Sequence, residues 1–221
     1  MTILDKHIKQ FLNLYHSFSL VDSSKNYLSI LRGVITVVDE NNQVWSNYKV
    51  RIEIVSTYPY TIPNVYEESQ LIERNWDYHI SKNGYCCLNI PHNLLLKKRR
   101  GINLINFYQT EIYPFFANHQ YRLADGNYAK GEYAHFEQGI IQYYEEELGL
   151  NNIEKIIQLL NFAINNKKIE PNKTCVICGN LKFKKCCRSV YNKLRLFGKE
   201  QLLKDLKIFK KHLESSKDLK S

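Results

Sequence analysis

The first segment of the chain carries apolar residues at helical spacing. Intervals of four, three, four and three separate them, and they are Leu4, Ile8, Phe11, Tyr15 and Phe18. One apolar stripe of this period is typical of an amphipathic helix of about four turns. The pattern therefore predicts an N-terminal helix that covers one face of a sheet.

The next segments have the patterns of β-strands. Residues 27–38 are rich in β-branched side chains, and the turn-forming sequence DENNQ follows them. Strict alternation of apolar and polar positions comes next and predicts a half-buried antiparallel strand. Its apolar positions are Tyr48, Val50, Ile52 and Ile54. Pro59 and Pro63 exclude a regular ladder and predict an extended path before the short strand NVYEES.

Helical spacing returns only after residue 100. Residues 70–100 show few regular apolar repeats and predict an irregular segment. Helical spacing then passes through three groups of apolar residues: Leu104, Phe107, Ile112 and Phe115; Ile140, Tyr144 and Leu148; and Ile153, Ile157 and Leu160. This order of elements predicts an α+β fold in which helices flank an antiparallel meander.

The composition agrees with one packed core. Hydrophobic residues make up 44% of the 221 residues and charged residues 24%, which excludes a disordered or fibrous chain. The length excludes two large domains. No stretch approaches the roughly 18 apolar residues of a membrane span, and no basic region followed by an apolar run opens the chain. We therefore expect a cytoplasmic protein with no membrane partner.

Charge is divided unevenly along the chain. Residues 1–150 contain 14 Lys and Arg against 16 Asp and Glu, whereas residues 151–221 contain 17 against 6. The whole basic excess therefore lies in the tail. The polar stretch NNKKIEPNK separates the two parts and predicts a linker. We expect a first domain over residues 1–165, a linker over 166–173 and a second module over 174–221.

The tail also carries four cysteines within thirteen residues, which are Cys175, Cys178, Cys186 and Cys187. Four thiolates match the ligand number of tetrahedral Zn²⁺, and in a cytosolic chain such a cluster favours a structural metal over disulfides. Basic side chains nearby are placed to offset the thiolate charge, and they are Lys182, Lys184, Lys185 and Arg188. The cluster resembles the SEC-C motif, a small zinc-binding module. Its opening pair is one residue wider than in that motif, and Asn180 occupies the place of the motif's Ser.

The pattern of residues 191–213 predicts a basic amphipathic helix after the cysteine cluster. Its apolar face contains Leu202, Leu206, Phe209 and Leu213, and lysines occupy other positions. The simplest interpretation of the lysines is a solvated face. The alternative is binding of nucleic acid through the basic tail, which the charge supports and the absence of a known reading motif opposes.

Candidate catalytic chemistry lies in the irregular segment. Cysteine forms thioesters that remain open to attack by amines, which makes it the best acyl carrier among the side chains. Most cysteines simply pack in cores. Cys87 differs in its context, because it lies in the loop sequence NGYCC after a Pro-rich stretch, with His79 eight residues before it.

This order of features resembles the ubiquitin-conjugating enzyme family, over residues 1–120. The family has an N-terminal helix, a strand meander that ends in a Tyr-Pro segment, an HPN turn and an N-G-x-(Ile/Val)-Cys-Leu motif. YPYTIP, DYH and NGYCCLNI follow one another in the same order here. The resemblance implies the ubiquitin-conjugating (UBC) fold, with Cys87 as the active thiol and Cys86 as a packing residue.

The turn tripeptide departs from the family pattern. His79 occupies the position of the Asn that donates a hydrogen bond near the reacting carbonyl, and Asp77 and Tyr78 replace the His-Pro pair. Imidazole can supply such a donor, so we expect Asp77 and His79 to act after Cys87 is loaded. The alternative for His79 is a hydrogen bond to backbone that locks the loop.

Two further segments, YPFFANHQY and GEYAHFEQG, resemble the bacterial branch of the family. Members of that branch occur in anti-phage cyclic-oligonucleotide (CBASS) operons. The resemblance implies a transferase in which Cys87 accepts, as a thioester, the C-terminal glycine of a ubiquitin-like modifier or a cGAS-like nucleotidyltransferase, and passes it to a protein amine. No ATP-binding motif is recognised, so activation is expected to come from elsewhere, either from a separate activating enzyme or from an activated C-terminus of the partner. The alternative from another class is a non-catalytic adaptor of the same fold.

His119, Glu132 and His135 form a weaker candidate for a metal site. Their spacing matches no standard ligand motif. Structural hydrogen bonds of two helices and the loop between them are the favoured interpretation.

Overall fold

The chain folds into two compact units, Met1–Glu132 and Tyr133–Ser221. The computed structural model describes residues 1–24, 28–126, 133–134, 136–179 and 181–218. The architecture is α+β, as predicted, with a four-stranded antiparallel sheet in the first unit and helices in both units. Among the described residues, no helix has the length and apolar character needed to cross a membrane.

The first unit is a β-meander with helices before and after it. Its elements are α1 (Ile3–Leu14), β1 (Phe18–Ser24), β2 (Leu28–Val38), β3 (Val44–Val55), β4 (Asn64–Glu67), a 3₁₀ turn (Trp76–Tyr78), α2 (Pro91–Arg100), α3 (Leu104–Phe107), a π-helical turn (Tyr108–Ile112) and α4 (Tyr113–Asp125). The strands lie in the order β1-β2-β3-β4, and each neighbouring pair is antiparallel. Each strand therefore pairs with its neighbour in sequence.

The N-terminal helix is shorter than its apolar stripe. Thr2 and Asp5 form a reciprocal capping box at its start, in which each side chain accepts from the backbone N–H of the other residue. The helix ends at Leu14, and Phe18 opens β1, a strand that the sequence pattern does not predict. Phe18 still packs against Phe11, with ring centroids 5.2 Å apart. The spacing up to Phe18 thus reflects burial in one apolar cluster, and the predicted extension of the helix is wrong.

The strands β2 and β3 and the turn between them follow the prediction. The Asp39 carboxylate accepts from the backbone N–H groups of Asn41 and Gln43, both at 2.8 Å, and so orders the turn. Alternate residues of β3 are buried in the core, and they are the four predicted ones: Tyr48, Val50, Ile52 and Ile54. The strand β4 lies within the predicted segment NVYEES.

The chain after β4 is irregular for about twenty residues and then helical. The prediction is therefore right for residues 70–90, apart from the short 3₁₀ turn, and wrong for α2. Pro91 lies in the first turn of α2, where its missing N–H breaks no hydrogen bond. His92 is the buried residue of α2, which explains why the apolar pattern of this helix is weak.

One helical path runs from Leu104 to Asp125, and the π-helical turn interrupts it. A π-helix closes its hydrogen bonds over one residue more than an α-helix. Downstream residues are shifted on the buried face as a result. Phe116 is fully buried where regular spacing predicts Phe115, which is half-buried.

The second unit is helical among its described residues. Its elements are α5 (Phe136–Glu146), α6 (Ile153–Ile164), a 3₁₀ turn (Phe183–Lys185), α7 (Arg188–Phe197) and α8 (Lys199–Asp218). The helix α8 packs mainly against α6 and also contacts α5 and α7. Three of the four residues of the predicted apolar face are buried, Leu202, Leu206 and Phe209, and Leu213 is half-buried. The prediction of one helix over residues 191–213 is wrong, since Gly198 (φ 87°) separates α7 from α8.

The predicted linker lies inside the second unit. Tyr191 Oη donates to the carbonyl of Lys167 at 2.7 Å, and the N–H of Lys184 donates to the carbonyl of Pro171 at 3.0 Å. The two compact units divide between residues 132 and 133. Helices α5 and α6 therefore share a compact unit with the tail. The functional division into a catalytic domain over 1–165 and a module over 174–221 stays a prediction.

Candidate functional site

The candidate active thiol lies beside the edge strand β4. The N–H of Cys86 donates to the carbonyl of Val65 at 2.8 Å, and Tyr85 pairs with Tyr66 in an isolated antiparallel bridge. A second bridge joins Cys86 to Ile80. The segment is therefore held on both sides, by β4 and by the chain at Ile80, and its backbone is fixed.

The two adjacent cysteines have different environments. Cys86 is 1% exposed and belongs to the apolar core, as predicted, whereas Cys87 is half-buried. Neighbouring residues of an extended segment face opposite sides, which explains the difference. Burial raises the pKa of both thiols. Cys87 is thus the thiol of the pair that solvent reaches.

Backbone hydrogen bonds bring His79 next to Cys87. The N–H of Cys87 donates to the carbonyl of His79 at 2.8 Å. His79 ends the 3₁₀ turn in the left-handed conformation (φ 53°), and its own N–H donates to the carbonyl of Trp76 at 2.9 Å. His is one of the few non-glycine residues found in this conformation more often than most. The backbone of His79 therefore helps to position the loop at Cys87.

Asp77 lies on the exposed side of the same turn. Its carbonyl accepts from the guanidinium of Arg122 on α4, which also lies 4.6 Å from the centre of the Tyr78 ring. The side chain of Asn75 caps the turn by accepting from the N–H of Tyr78 at 3.2 Å. The turn that carries Asp77 is thus attached to α4.

Glu67 is a buried carboxylate that no sequence motif marks. It is 1% exposed, forms an ion pair with Arg74 at 2.6 Å and accepts from the hydroxyl of Ser69 at 2.5 Å. Its backbone N–H donates to the carbonyl of Gly84 at 2.9 Å. Glu67 therefore connects β4 to the Asn-Gly turn before the cysteines. The sequence signal that could have identified Glu67 is its alternation with Val65 on the buried side of β4, because a buried charge requires partners.

Glu111 is a second buried carboxylate, and it bonds to the chain just after Cys87. It is 4% exposed in the π-helical turn and accepts from Asn89 Nδ2 at 2.9 Å. Lys97 on α2 forms an ion pair with the same carboxylate. The chain two residues after Cys87 is thereby attached to the π-helical turn. No apolar pattern or motif marks Glu111 in the sequence.

His119 is a hydrogen-bonded core residue of α4. Tyr48 Oη and His119 Nδ1 are hydrogen-bonded to each other at 2.7 Å, and Gln120 Nε2 donates to the same hydroxyl. Burial lowers the pKa of His119. These contacts agree with the structural interpretation of His119. The other two members of that weaker candidate, Glu132 and His135, lie outside the described residues.

The four cysteines of the tail come together in space. Their Sγ atoms all lie within 4.8 Å of one another, and those of Cys178 and Cys186 are 3.3 Å apart. Sulfur ligands about 2.3 Å from a tetrahedral ion lie about 3.8 Å from one another, so the four thiols fit a metal ion. The predicted cluster is therefore a group of residues that can bind a metal.

Short-range hydrogen bonds shape the loop of this cluster. The N–H of Cys175 donates to the carbonyl of Leu181, and the N–H of Gly179 donates to the carbonyl of Cys175, both at 2.8 Å. Thr174 and Lys182 form an isolated antiparallel bridge across the base of the loop. The position of Asn180, the residue that replaces the Ser of the SEC-C motif, lies outside the described residues.

The second pair of cysteines is anchored by α7. Phe183 is buried and packs against Tyr191 with ring centroids 5.7 Å apart, which fixes the turn before Cys186. Cys187 immediately precedes α7 and is buried. Burial raises the pKa of the Cys187 thiol, so a nearby cation is needed to hold it as a thiolate. A divalent metal bound by the four cysteines would supply that charge.

Comparisons of the chain with models of protein families, with curated proteins and with solved structures give no match. The assignment of a function therefore depends on the residues and the geometry of the two sites.

Proposed function

We propose that the chain is a ubiquitin-conjugating-like acyl carrier whose active thiol is Cys87. The observation that carries the proposal is a half-buried thiol in a loop whose backbone is bonded to His79. A thioester must be open to an acceptor amine and partly shielded from water. A half-buried thiol in an ordered loop meets both requirements.

The order of elements supports the UBC fold as part of the proposal. A helix, a four-stranded antiparallel meander, an extended segment with the thiol and further helices follow one another along the first unit. The resemblance of YPYTIP, DYH and NGYCCLNI to the family implies the same order.

The proposed reaction has two steps. In the first, the Cys87 thiolate attacks the thioester carbonyl of a loaded activating enzyme, and the departing thiolate takes up the proton that Cys87 released. In the second, a lysine amine attacks the Cys87 thioester, an amide forms, and Cys87 leaves with a proton from the amine. The raised pKa keeps Cys87 mostly protonated at neutral pH, so alignment with the incoming thioester must supply much of the rate.

His79 is proposed to donate a hydrogen bond to the oxyanion of the second step, with Asp77 beside it in the same turn. The proposed donor of the acyl group is a ubiquitin-like modifier or a cGAS-like nucleotidyltransferase with a C-terminal glycine, in bacterial anti-phage defence. A separate enzyme activates that glycine, and a protein amine accepts it. The non-catalytic adaptor remains the second candidate function.

Loading is tested with a peptide that ends in a glycine thioester. The wild-type chain is expected to form an adduct that hydroxylamine cleaves, Cys87→Ser a hydroxylamine-resistant oxyester, and Cys87→Ala no adduct. Cys86→Ala, the matched control, is expected to load like the wild type. Loss of loading in a folded Cys86→Ala protein would contradict the choice of thiol. Failure of both cysteines to load from this peptide and from a cognate activating system would favour the adaptor.

Transfer is tested separately with His79→Ala. This variant is expected to load normally and to transfer to amines about 10²- to 10³-fold more slowly, the usual cost of one oxyanion donor. His16→Ala is the control, because His16 is exposed in the loop between α1 and β1. A folded His79→Ala protein that fails to load would show that the residue only shapes the loop.

We also propose that the metal of the four-cysteine cluster is structural Zn²⁺. Four thiolates within a short segment favour zinc, and a segment with so few buried residues requires a metal to fold. Elemental analysis is expected to give one zinc per chain, and none in Cys175→Ser/Cys178→Ser. Cys86→Ala should keep its zinc. Another metal at the same stoichiometry would contradict zinc, and unchanged zinc in the double variant would contradict the site.

A further inference from the structure

The basic excess of the tail is concentrated around the cysteine cluster. Residues 167–195 contain nine Lys and Arg and one acidic residue, Glu170. The helix α8, in contrast, contains six Lys and four acidic residues. A partner that is attracted by this charge therefore meets the cysteine module more strongly than the terminal helix.

Four cations of this region, which we term the basic patch, are exposed: Lys182, Lys184, Lys185 and Arg188. Within the part of the chain that the structure describes, no acidic side chain pairs with any of them. In the rest of the second unit, Lys204 pairs with Glu200 at 2.8 Å and Lys211 with Glu137 at 2.9 Å. The four cations lie within seven residues of one another in sequence, and their uncompensated charge attracts an anionic partner.

The fold holds the basic patch in a defined conformation. The bridge to Thr174 fixes Lys182, and the N–H of Lys185 donates to the carbonyl of Lys182 at 2.8 Å. Phe183, between Lys182 and Lys184 in sequence, is buried. A surface whose backbone is already ordered loses less entropy when it binds a partner.

The negative charge of the metal-bound cysteine cluster is smaller than the positive charge of the basic patch. Four thiolates and a divalent ion sum to a formal charge of about −2, whereas the patch carries four positive charges. A positive balance therefore remains for a partner.

Two exposed aliphatic side chains lie in the same loop as the cysteines. Val176 and Leu181 are 63% and 54% exposed, and Lys182 follows Leu181 directly. The bridge between Thr174 and Lys182 closes the loop that contains them. Phosphates bind to cationic side chains, and the faces of unstacked bases pack against apolar side chains. A single nucleic-acid strand offers both groups together, whereas a duplex keeps its base faces stacked.

We propose that the basic patch, together with Val176 and Leu181, binds single-stranded nucleic acid without strong sequence preference. The lysines and Arg188 contact phosphates, and the two aliphatic side chains contact bases. This activity goes beyond the proposed acyl transfer and does not involve Cys87.

Binding is measured by titration of the full chain into labelled single strands of about 12 nucleotides, of RNA and of DNA, and into the matching duplex. Both single strands are expected to bind more tightly than the duplex. The strand that binds more tightly, RNA or DNA, identifies the natural ligand. Four phosphate contacts predict that the affinity falls about 50-fold between about 50 and 200 mM salt. In Lys182→Gln/Lys184→Gln the affinity should fall only about sevenfold over the same salt range, because two phosphate contacts remain.

Matched variants separate the basic patch from general charge. Lys207→Gln/Lys210→Gln removes the same charge from exposed positions of α8 and is expected to leave the salt response unchanged. Val176→Ser/Leu181→Ser should remove the preference for single strands and keep the salt response. Circular dichroism and metal content establish that each variant is folded, and Lys185→Gln/Arg188→Gln provides an independent pair.

The proposal is overturned by duplex binding as tight as single-strand binding, by equal weakening in the α8 variant, or by a salt response unchanged in both patch variants. Binding to vesicles of anionic lipid without binding to any oligonucleotide would also overturn it and assign the patch to a membrane surface. Cys87→Ala is expected to bind nucleic acid like the wild type. Failure of the acyl-transfer proposal is therefore distinguishable from failure of this one.

Discussion

The hydroxyl of Tyr144 donates to the buried carboxylate of Asp205 at 2.7 Å and joins α5 to α8. Gln201 Nε2 donates to the other carboxylate oxygen at 2.8 Å, and the ring of Tyr144 lies 4.7 Å from that of Phe209. Residues before and after the predicted linker therefore share one core. The terminal helix is part of that core.

Tyr144→Phe is expected to lower the free energy of unfolding by about 1.5–3 kcal/mol, because it removes a hydrogen bond to a buried charged group. Urea denaturation followed by circular dichroism measures the change. Tyr133→Phe is the matched control, since the Tyr133 hydroxyl forms a long hydrogen bond of 3.4 Å with Glu147. This variant should lower the free energy of unfolding by less than about 0.5 kcal/mol. Similar costs for the two variants would contradict a special role of the contact with Asp205.

Gly84 is expected to tolerate no side chain. Its φ is +86°, and a Cβ atom there would lie 2.5 Å from the carbonyl oxygen of Glu67. Gly84→Ala should therefore destabilise the chain by more than the about 1–2 kcal/mol of a left-handed alanine alone. Gly126→Ala provides the comparison, because Gly126 has φ +82° and none of the described residues lies within 4 Å of the added atom. Equal shifts of the urea midpoint would show that the contact with Glu67 costs nothing.

The lowered pKa of His119 predicts a loss of stability in acid. The unfolded chain binds a proton near the ordinary pKa of 6.5, whereas burial of the imidazole opposes that proton in the folded chain. This contribution is fully present above pH 6.5 and is lost as the pH falls below it, by at most about 1.4 kcal/mol per pH unit. Urea midpoints measured from neutral pH to about pH 5 test this. His119→Gln should flatten the dependence, and a variant with the wild-type dependence would refute the assignment to His119.

Alkylation should distinguish Cys86 from Cys87 without any partner. Iodoacetamide is expected to modify Cys87 in the native protein and to reach Cys86 only after unfolding, because Cys86 is 1% exposed. The raised pKa of Cys87 predicts a rate that still increases above pH 9.0, the ordinary value. Peptide mass spectrometry gives the rate at each residue. Comparable native rates at the two cysteines would exclude the difference in burial.

Sequence patterns predict the elements whose burial repeats locally. The alternation through Tyr48 and Ile52 identifies β3 because one face of that strand packs on the core. The sequence pattern does not predict β1, since this strand is stabilised by backbone pairing with β2, as between Phe18 and Gly33. The π-helical turn is not predicted either, because no sequence signal marks the one residue that it adds to the helix.

The candidate site divides in the same way. Cys87 and the four tail cysteines are found from the sequence because thiols carry recognisable chemistry at recognisable spacings. Glu111 is not found, because its partners Asn89 and Lys97 come from another part of the chain. Glu67 is missed for a different reason, since its alternation with Val65 on β4 is the single sequence signal of its burial and no motif accompanies it.

The π-helical turn also determines where this helix accepts insertions and deletions. Thr110 is exposed in that turn, whereas Ile112 and Phe116 after it are buried. Deletion of Thr110 would leave α-helical spacing and keep both buried residues on the same face. Deletion of Ala117 in the regular helix would instead rotate His119 by about 100° away from Tyr48. A related chain that is one residue shorter here is therefore expected to have its alignment gap at residues 109–110.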